Sequence, residues 1–553
     1  MAKRRKLTSS PVAIAPDAPG EATTFWRREG PLVVGGAAVL CLAAGYLSRK
    51  AMNPDGVSYL DLAGAVPRGD WSQFVQGYWS PLLPLLAGIA GGITGASHTA
   101  LVTLVHAGNV IAAIAALGIL FVWGRRIESP TMVLASVAAF LLASAGIPRV
   151  EAVTPDVLLF AVTVALSCEL ALHRGRRWIA TGILLGAAYL VKTSCWPWLA
   201  ATFVVRLFAA RDHHARLRVL WSSGVAALVM LLWIVPLSVK SGRFTLGSAG
   251  RLNYSWYIDG NTSRLPDSDL GTNSAYREIS VGGNQEVTLA TFDDAAHWTY
   301  QPWGDPATWS AGVTSETGSP PVPTALLSYW LRQTARIIGL WLMPLLAAVL
   351  FPTYILRRRP GIWRDGINAN RDAVVTAFLG VIGVLQFAAI HAEPRLIAPF
   401  AMMLTLGALQ WWCNDAGTVA AQRMARGRRI AVGSIGLLAG IGFAVPKFID
   451  GVSAAARLDV VTAQLEEVHT RLGTGDAPVE VAIVGPAAPV LSAAYIIGAH
   501  VTAQILPRSA RVVAQLPDEQ RSRLLIGLFG GRATLVWETT DDGGMQMLLI
   551  PKS

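Results

Sequence analysis

Four short stretches carry ionisable side chains at the edges of runs that are otherwise apolar. "NPDGVSYLDLAGAVPRGDW" (53–71) opens with Asp55, and "TPDVLLFAV" (154–162) with Asp156. "YLVKTSCWPW" (189–198) carries Lys192, and "HAEPRLIAPF" (391–400) carries His391, Glu393 and Arg395. A positioned carboxylate can orient or deprotonate a hydroxyl. A guanidinium or ammonium can hold a phosphate and stabilise charge on a departing group. Most of these residues also have a plainer reading. Asn53 can cap a helix that has Pro54 at its first position and Asp55 at its positive end. Thr154-Pro155-Asp156 repeats that pattern. Lys192 ends an apolar run, where snorkelling and dipole compensation both account for a lysine. Arg395 is the exception. It starts a helix, where a cation opposes the dipole, and so calls for an anion: Glu393 or the phosphate of a ligand.

A second tier of side chains surrounds these. Tyr59 continues the helical face of Asp55. Tyr78 and Trp79, followed by Ser80 and Pro81, lie where the first loop turns back toward the membrane; they suit an aromatic belt or the lining of a lipid groove. His297 opens "HWTYQPWGDPATW" (297–309), whose aromatics, like those at 254–257, suit either stacking on sugar faces or packing of the loop itself. The four cysteines (Cys41, Cys168, Cys195 and Cys413) form no CxxC pair and have no histidine at zinc spacing, so they read as thiols within apolar segments. A divalent metal is possible but not indicated, and no other cofactor is implied.

The elements that must position these residues are membrane helices. Of 553 residues, 53% are hydrophobic and only 15% charged, against about a quarter charged in soluble domains. Many runs reach the ~20 residues that cross a bilayer. About eleven spans are expected, near 31–48, 96–123, 130–147, 155–172, 177–192, 195–209, 217–238, 326–356, 373–391, 394–412 and 429–447. Basic clusters ("KRRK", "GRR" at 124–126, "HRGRR", "RDHHARLR", "RRRPGIWR", "RMARGRR") occupy alternate connections. By the positive-inside rule these are cytoplasmic, which accounts for the +11 net charge without nucleic acid. The remaining connections face outward, and all the candidate residues fall on them. The chain then divides into a basic disordered tail (1–28), a membrane module (29–449) and an extracytoplasmic α/β domain (450–553). The module has a first outer loop at 49–95 and a large outer loop at 239–325. In the α/β domain, strands are expected at 479–485, 500–506, 532–538 and 545–551, with an amphipathic helix at 455–472.

In their order and common face the four stretches resemble the GT-C glycosyltransferases. They are most similar to the polyprenyl-phosphate-sugar-dependent enzymes related to protein O-mannosyltransferases and lipid A aminoarabinose transferases. The resemblance covers the membrane part to about residue 412, and it has departures. Gly56 stands where the family often has a second acidic residue, "SPLLP" replaces a "KPP"-like stretch, and Leu396 replaces a tyrosine. It implies a GT-C fold and an inverting transfer of a sugar from a polyprenyl-phosphate donor to an acceptor hydroxyl on a glycan, lipid or protein. The reaction would take place at the outer face of the plasma (inner) membrane of a bacterium. It implies Asp55 as the catalytic base, with Lys192 and Arg395 on the phosphate and Asp156 on sugar, acceptor or Lys192. Tyr59, Tyr78, Trp79, His297, His391 and Glu393 would complete the substrate site. A transporter or lipid flippase is the rival reading. It calls for mid-membrane charges and matching halves, whereas here the charges sit at the ends of runs and no inverted repeat is evident.

Overall fold

The computed structural model describes residues 25–126, 152–173, 176–258, 276–280, 286–292, 297–304, 371–391, 393–415, 461–467, 479–485, 487–529, 535–539 and 545–549, with a few single positions between them. Four of the described helices are long and apolar enough to cross a membrane: Arg27–Leu47, His98–Arg126, His213–Ser241 and Arg371–Ile390. The expected spans at 326–356 and 429–447 lie outside the described residues, as does nearly all of 130–147. Among the described residues the first element is a π-turn at Phe25–Glu29 that leads into α1 (Gly30–Leu47).

After α1 the chain does not turn straight back. It forms α2 (Pro54–Arg68), a single helical turn at Trp71–Phe74, and α3 (Leu82–Thr94). Pro54 starts α2, and Gly69 ends it with a φ of +69°, a left-handed conformation that glycine adopts without a Cβ penalty. The side chains of Val57, Leu60, Leu62, Ala63 and Ala65 are buried, so α2 is a packed element, not a surface loop. Then follow α4 (His98–Arg126), α5 (Asp156–His173), α6 (Trp178–Val191), α7 (Trp196–Ala209) and α8 (His213–Ser241). α6 and α7 are only 14 residues each, separated by a 3₁₀ turn at Thr193–Cys195. A Cβ placed on Gly182 or Gly186 of α6 would meet α8 at 2.5 Å, so these glycines set the close approach of the two helices. The pair α10 (Arg371–Ile390) and α11 (Pro394–Asp415) packs in the same way through Gly380 and Gly407.

The described residues of the large loop include regular elements. It contains α9 (Ala249–Tyr257), β1 (Tyr276–Ser280) and β2 (Glu286–Thr291). These two strands join β3 (Val479–Val484), β4 (Ala499–Ile505), β5 (Leu535–Thr539) and β6 (Met545–Leu549) in one six-stranded sheet of order β1-β2-β4-β3-β5-β6. The central strands β4, β3 and β5 are parallel, and the outer pairs are antiparallel. The sheet is therefore built from both the 239–325 loop and the C-terminal residues. Its connecting helix α12 (Ala488–Ile496) packs on α2, and the Tyr495 ring meets His98 of α4 with centroids 4.9 Å apart. Asp61 of α2 ties the long loop down, accepting hydrogen bonds from Thr299 N–H at 2.9 Å and Thr299 Oγ1 at 2.7 Å.

Candidate active site

The directions of the helices bring the charged residues together. Asp55 and Asp156 are at the starts of α2 and α5, Lys192 directly follows α6, His391 and Glu393 lie between α10 and α11, and Arg395 is the second residue of α11. All six line a single cavity of about 600 Å³. Arg395 is the hub. Its Nη2 donates to Asp55 Oδ2 at 2.9 Å, its Nε to Glu393 Oε2 at 2.5 Å, and the same nitrogen lies 3.8 Å from Asp156 Oδ2. Lys192 Nζ donates to Asp156 Oδ1 at 2.5 Å. His391 Nε2 is 2.9 Å from Glu393 Oε1. Three carboxylates thus face two permanent cations, a net charge of −1 when His391 is neutral. Burial alone would push the Glu393 carboxyl up. The His391 hydrogen bond and the Arg395 guanidinium outweigh it and hold the group well below the usual carboxylate range.

Local geometry explains two features of "NPDG". The Asn53 side chain does not cap α2; its Oδ1 accepts the Val153 N–H at 3.2 Å. That bond ties the start of α2 to the segment that delivers Asp156. The same contact accounts for Gly56, because a Cβ there would lie 2.7 Å from Val153 Cβ. A second acidic side chain at position 56 has no room.

The cavity has an aromatic wall. Trp79 and Trp303 are 5.8 Å apart, and the Trp79 indole donates to the Trp303 carbonyl at 3.0 Å. Trp256 stacks on Trp303 at 6.1 Å, and Tyr78 lies 5.5 Å from Trp256. Tyr59 is buried against Trp79 at 5.0 Å. Burial, reinforced by the nearby Asp156 and Asp55, pushes its phenol far up, so it is a neutral hydroxyl at neutral pH. The re-entrant segment is held from both sides. The Gly77 carbonyl accepts the Ser248 N–H at 2.7 Å, and Ser80 Oγ accepts the Thr193 N–H at 2.9 Å.

Nine of the ten residues singled out in the sequence line this cavity: Asp55, Tyr59, Tyr78, Trp79, Asp156, Lys192, His391, Glu393 and Arg395. His297 does not. Its half-exposed ring lies 3.8 Å from Asp70, and its backbone carbonyl accepts from the Gln73 side chain. It anchors the large loop to the end of the first one, and no signal in a lone histidine distinguishes that role from a ligand's. Two further lining residues make notable contacts, one of them from the aromatic group at 254–257. Tyr257 stacks face to face on His391, 3.8 Å apart at 10°. Gln386 sits on α10 with its Nε2 donating to the Ser194 carbonyl at 2.7 Å. An amide inside the run "GVLQFAAI" was the available hint.

Several buried polar atoms at the cavity have no hydrogen-bond partner among the described residues: Asp156 Oδ2, His391 Nδ1, Gln386 Oε1 and the indole nitrogens of Trp256 and Trp303. Buried polar atoms are normally satisfied, so this lining is complementary to a polar ligand. Among the described residues, no group of three or more His, Cys, Asp or Glu is arranged to hold a metal ion.

The helical fold, with its apolar spans and a charged cavity at one end of the bundle, is similar to that of solved structures of ArnT. In particular, the chain is similar to ArnT from Cupriavidus metallidurans bound to undecaprenyl phosphate, with a TM-score of 0.51 and 13% identity over 94% of each chain. It is similar to the apo state of the same protein at a TM-score of 0.50, with the same identity and coverage. No family model and no curated protein matches the sequence.

Proposed function

We propose that the protein is an inverting glycosyltransferase that moves a sugar from a polyprenyl-phosphate donor to an acceptor hydroxyl at the extracytoplasmic face of the membrane. The observation that carries this reading is the Arg395 hub. One guanidinium, in a cavity walled by tryptophans, is shared by the carboxylates of Asp55 and Glu393, with the Lys192–Asp156 pair beside it. A solved structure of this fold holds undecaprenyl phosphate, which makes a lipid phosphate the natural anion for such a hub.

In this mechanism the donor phosphate enters between Lys192 and Arg395. It competes with Asp55 for Arg395, so the carboxylate is released as the donor binds. A carboxylate relieved of its cation and shielded from water is a better proton acceptor. Asp55 then takes the proton of the acceptor hydroxyl as that oxygen attacks the anomeric carbon. The bond from that carbon to the phosphate oxygen breaks, and Lys192 and Arg395 stabilise the negative charge left on the polyprenyl phosphate. Glu393, fastened by His391, keeps the guanidinium oriented through its Nε. Asp156 keeps the Lys192 ammonium at the cavity wall. Trp79, Trp256, Trp303 and Tyr78 offer faces for the sugar ring, and the large loop covers the site against water. In this reading the N-terminus is cytoplasmic and the sheet extracytoplasmic, an orientation supported by the basic clusters on alternate connections.

The test uses the full chain in lipid nanodiscs with undecaprenyl phosphate as the probe, read by native mass spectrometry. Saturable binding to wild type is expected, and Lys192→Ala and Arg395→Ala should each weaken it by about tenfold or more, the worth of a charge-assisted hydrogen bond. Binding that neither substitution changes would defeat the proposal.

A further inference from the structure

The opposite ends of the same helices hold a second cavity, of about 480 Å³, that the proposed chemistry does not use. Asp156 starts α5 at the first cavity, and Leu170 of that helix lines the second. Gln386 of α10 lines the first, and Arg371, its first residue, lines the second. Fourteen to sixteen residues of helix span about 21–24 Å, so the two cavities lie near opposite faces of a bilayer whose apolar core is about 30 Å thick.

Five arginines line the second cavity: Arg176, Arg206, Arg211, Arg218 and Arg371. They come from the connection before α6, the end of α7, the connection from α7 to α8, the first turns of α8, and α10. Two carboxylates, Asp212 and Asp372, stand against them. Asp212 is already committed to capping α8, where it accepts the Ala215 N–H at 2.7 Å. Arginines near the end of a bundle are ordinary in a membrane protein; a cavity that collects five of them is not. Arg206 is the informative one. It is only 7% exposed, its Nη1 donates to Ser222 Oγ at 3.1 Å, and no carboxylate is paired with it among the described residues. Burying a guanidinium without an anion is costly. The N-terminus of α8 meets this cavity, so a positive dipole end adds to the arginine charge.

We infer that this second cavity is a binding site for a phosphate-bearing anion, on the opposite side of the membrane from the sugar-transfer site. Its guanidinium groups suit forked contacts to phosphate oxygens. The phosphate can belong to an anionic phospholipid headgroup, since basic pockets between spans on the cytoplasmic side recognise such lipids, or to a soluble phosphate or pyrophosphate. The site stands independently of the proposed transferase reaction, because it shares no lining residue with the first cavity.

The experiment uses the full chain carrying both Lys192→Ala and Arg395→Ala, which together weaken the first cavity as a phosphate site. Nanodiscs of phosphatidylcholine alone are compared with nanodiscs containing cardiolipin, and inorganic pyrophosphate is titrated into each. Bound anion is counted by native mass spectrometry. One saturable anion is expected, weakened tenfold or more by the pair Arg218→Gln and Arg371→Gln, both at partly exposed positions. Arg206→Lys keeps the buried charge without the fork and should weaken binding less than that pair. Cardiolipin retained against pyrophosphate identifies the lipid as the source of the phosphate; pyrophosphate binding in phosphatidylcholine alone identifies a soluble one. Absence of both, or binding that the arginine substitutions leave unchanged in protein with a wild-type unfolding midpoint, overturns the inference.

Discussion

Replacing Asp55 with asparagine should separate donor binding from turnover in opposite directions. Asp55 Oδ2 holds Arg395 Nη2 at 2.9 Å and therefore competes with a donor phosphate for the same guanidinium. The substitution keeps the side-chain shape and takes the cluster from a net −1 to neutral. A negative charge about 6 Å from a phosphate repels it by about 0.7 kcal/mol at the dielectric of water and about 3 kcal/mol at an effective dielectric near 20. Since about 1.4 kcal/mol is tenfold in affinity, undecaprenyl phosphate should bind Asp55→Asn roughly three- to a hundredfold more tightly than wild type. Sugar transfer should fall by at least the ~10²–10⁴-fold that a general base contributes. Binding is read by native mass spectrometry in nanodiscs, and transfer by the loss of labelled sugar from a polyprenyl-phosphate donor in membranes. A merely structural Asp55 would lower both readouts. Weaker phosphate binding in Asp55→Asn, or transfer that persists in it, would refute the idea that this carboxylate yields Arg395 to the donor and then acts as base.

Three other outcomes follow from the same geometry. Burial raises the Asp61 carboxyl from its ordinary value of 3.8 to about 7, against the lowering effect of the Thr299 hydrogen bonds and Arg68. The folded state therefore holds this proton more tightly than the unfolded chain. The associated stability is complete below about pH 4 and is lost as the pH rises through about 7. Unfolding midpoints measured from pH 5 to 8 should decline with pH more steeply in wild type than in Asp61→Asn, and parallel curves would exclude this linkage. Gly56→Asp introduces the second acidic residue that the resembled family often has there, but its Cβ would meet Val153 Cβ at 2.7 Å. Overpacking of this kind costs about 1–3 kcal/mol, so the unfolding midpoint should drop; an unchanged midpoint means α2 and the 152–153 segment are not in contact. His391→Ala should weaken undecaprenyl phosphate binding several-fold by freeing Glu393 and Tyr257, whereas His297→Ala, outside the cavity, should leave it within about twofold of wild type. Equal losses in the two variants would argue that His297 belongs to the site after all.

The charged residues were legible in the sequence because a membrane makes them conspicuous. An ionisable group beside an apolar run must be paired, capped or functional, and Arg395 at a helix start already demanded an anion. The strands at 479–485, 500–506, 532–538 and 545–551 were visible as short apolar runs, and the structure has them at Val479–Val484, Ala499–Ile505, Leu535–Thr539 and Met545–Leu549. What the aromatic loop would become was not legible. "YREIS" and "EVTLAT" are short and half polar, and they become strands only by pairing with each other and with β4, about two hundred residues later in the chain. The resemblance to GT-C transferases, drawn from four motifs, is matched by the ArnT fold at 13% identity.

By itself the sequence determined that this chain has runs long and apolar enough to cross a membrane, and that its exceptional charges fall at the ends of those runs on alternate connections. Those properties follow from transfer energetics residue by residue, and no long-range contact is needed to read them. Only the tertiary structure decided that Arg395 is shared between Asp55 and Glu393, that Lys192 takes Asp156, and that Asn53 binds Val153 and not its own helix. Only it excluded His297 from the cavity, brought Tyr257 onto His391, and gathered five arginines at the far end of the bundle. Pairings of this kind depend on how helices far apart in sequence are packed, and close approaches such as that of Gly182 to α8 set them to within an ångström. Periodicity along one chain carries no such distances.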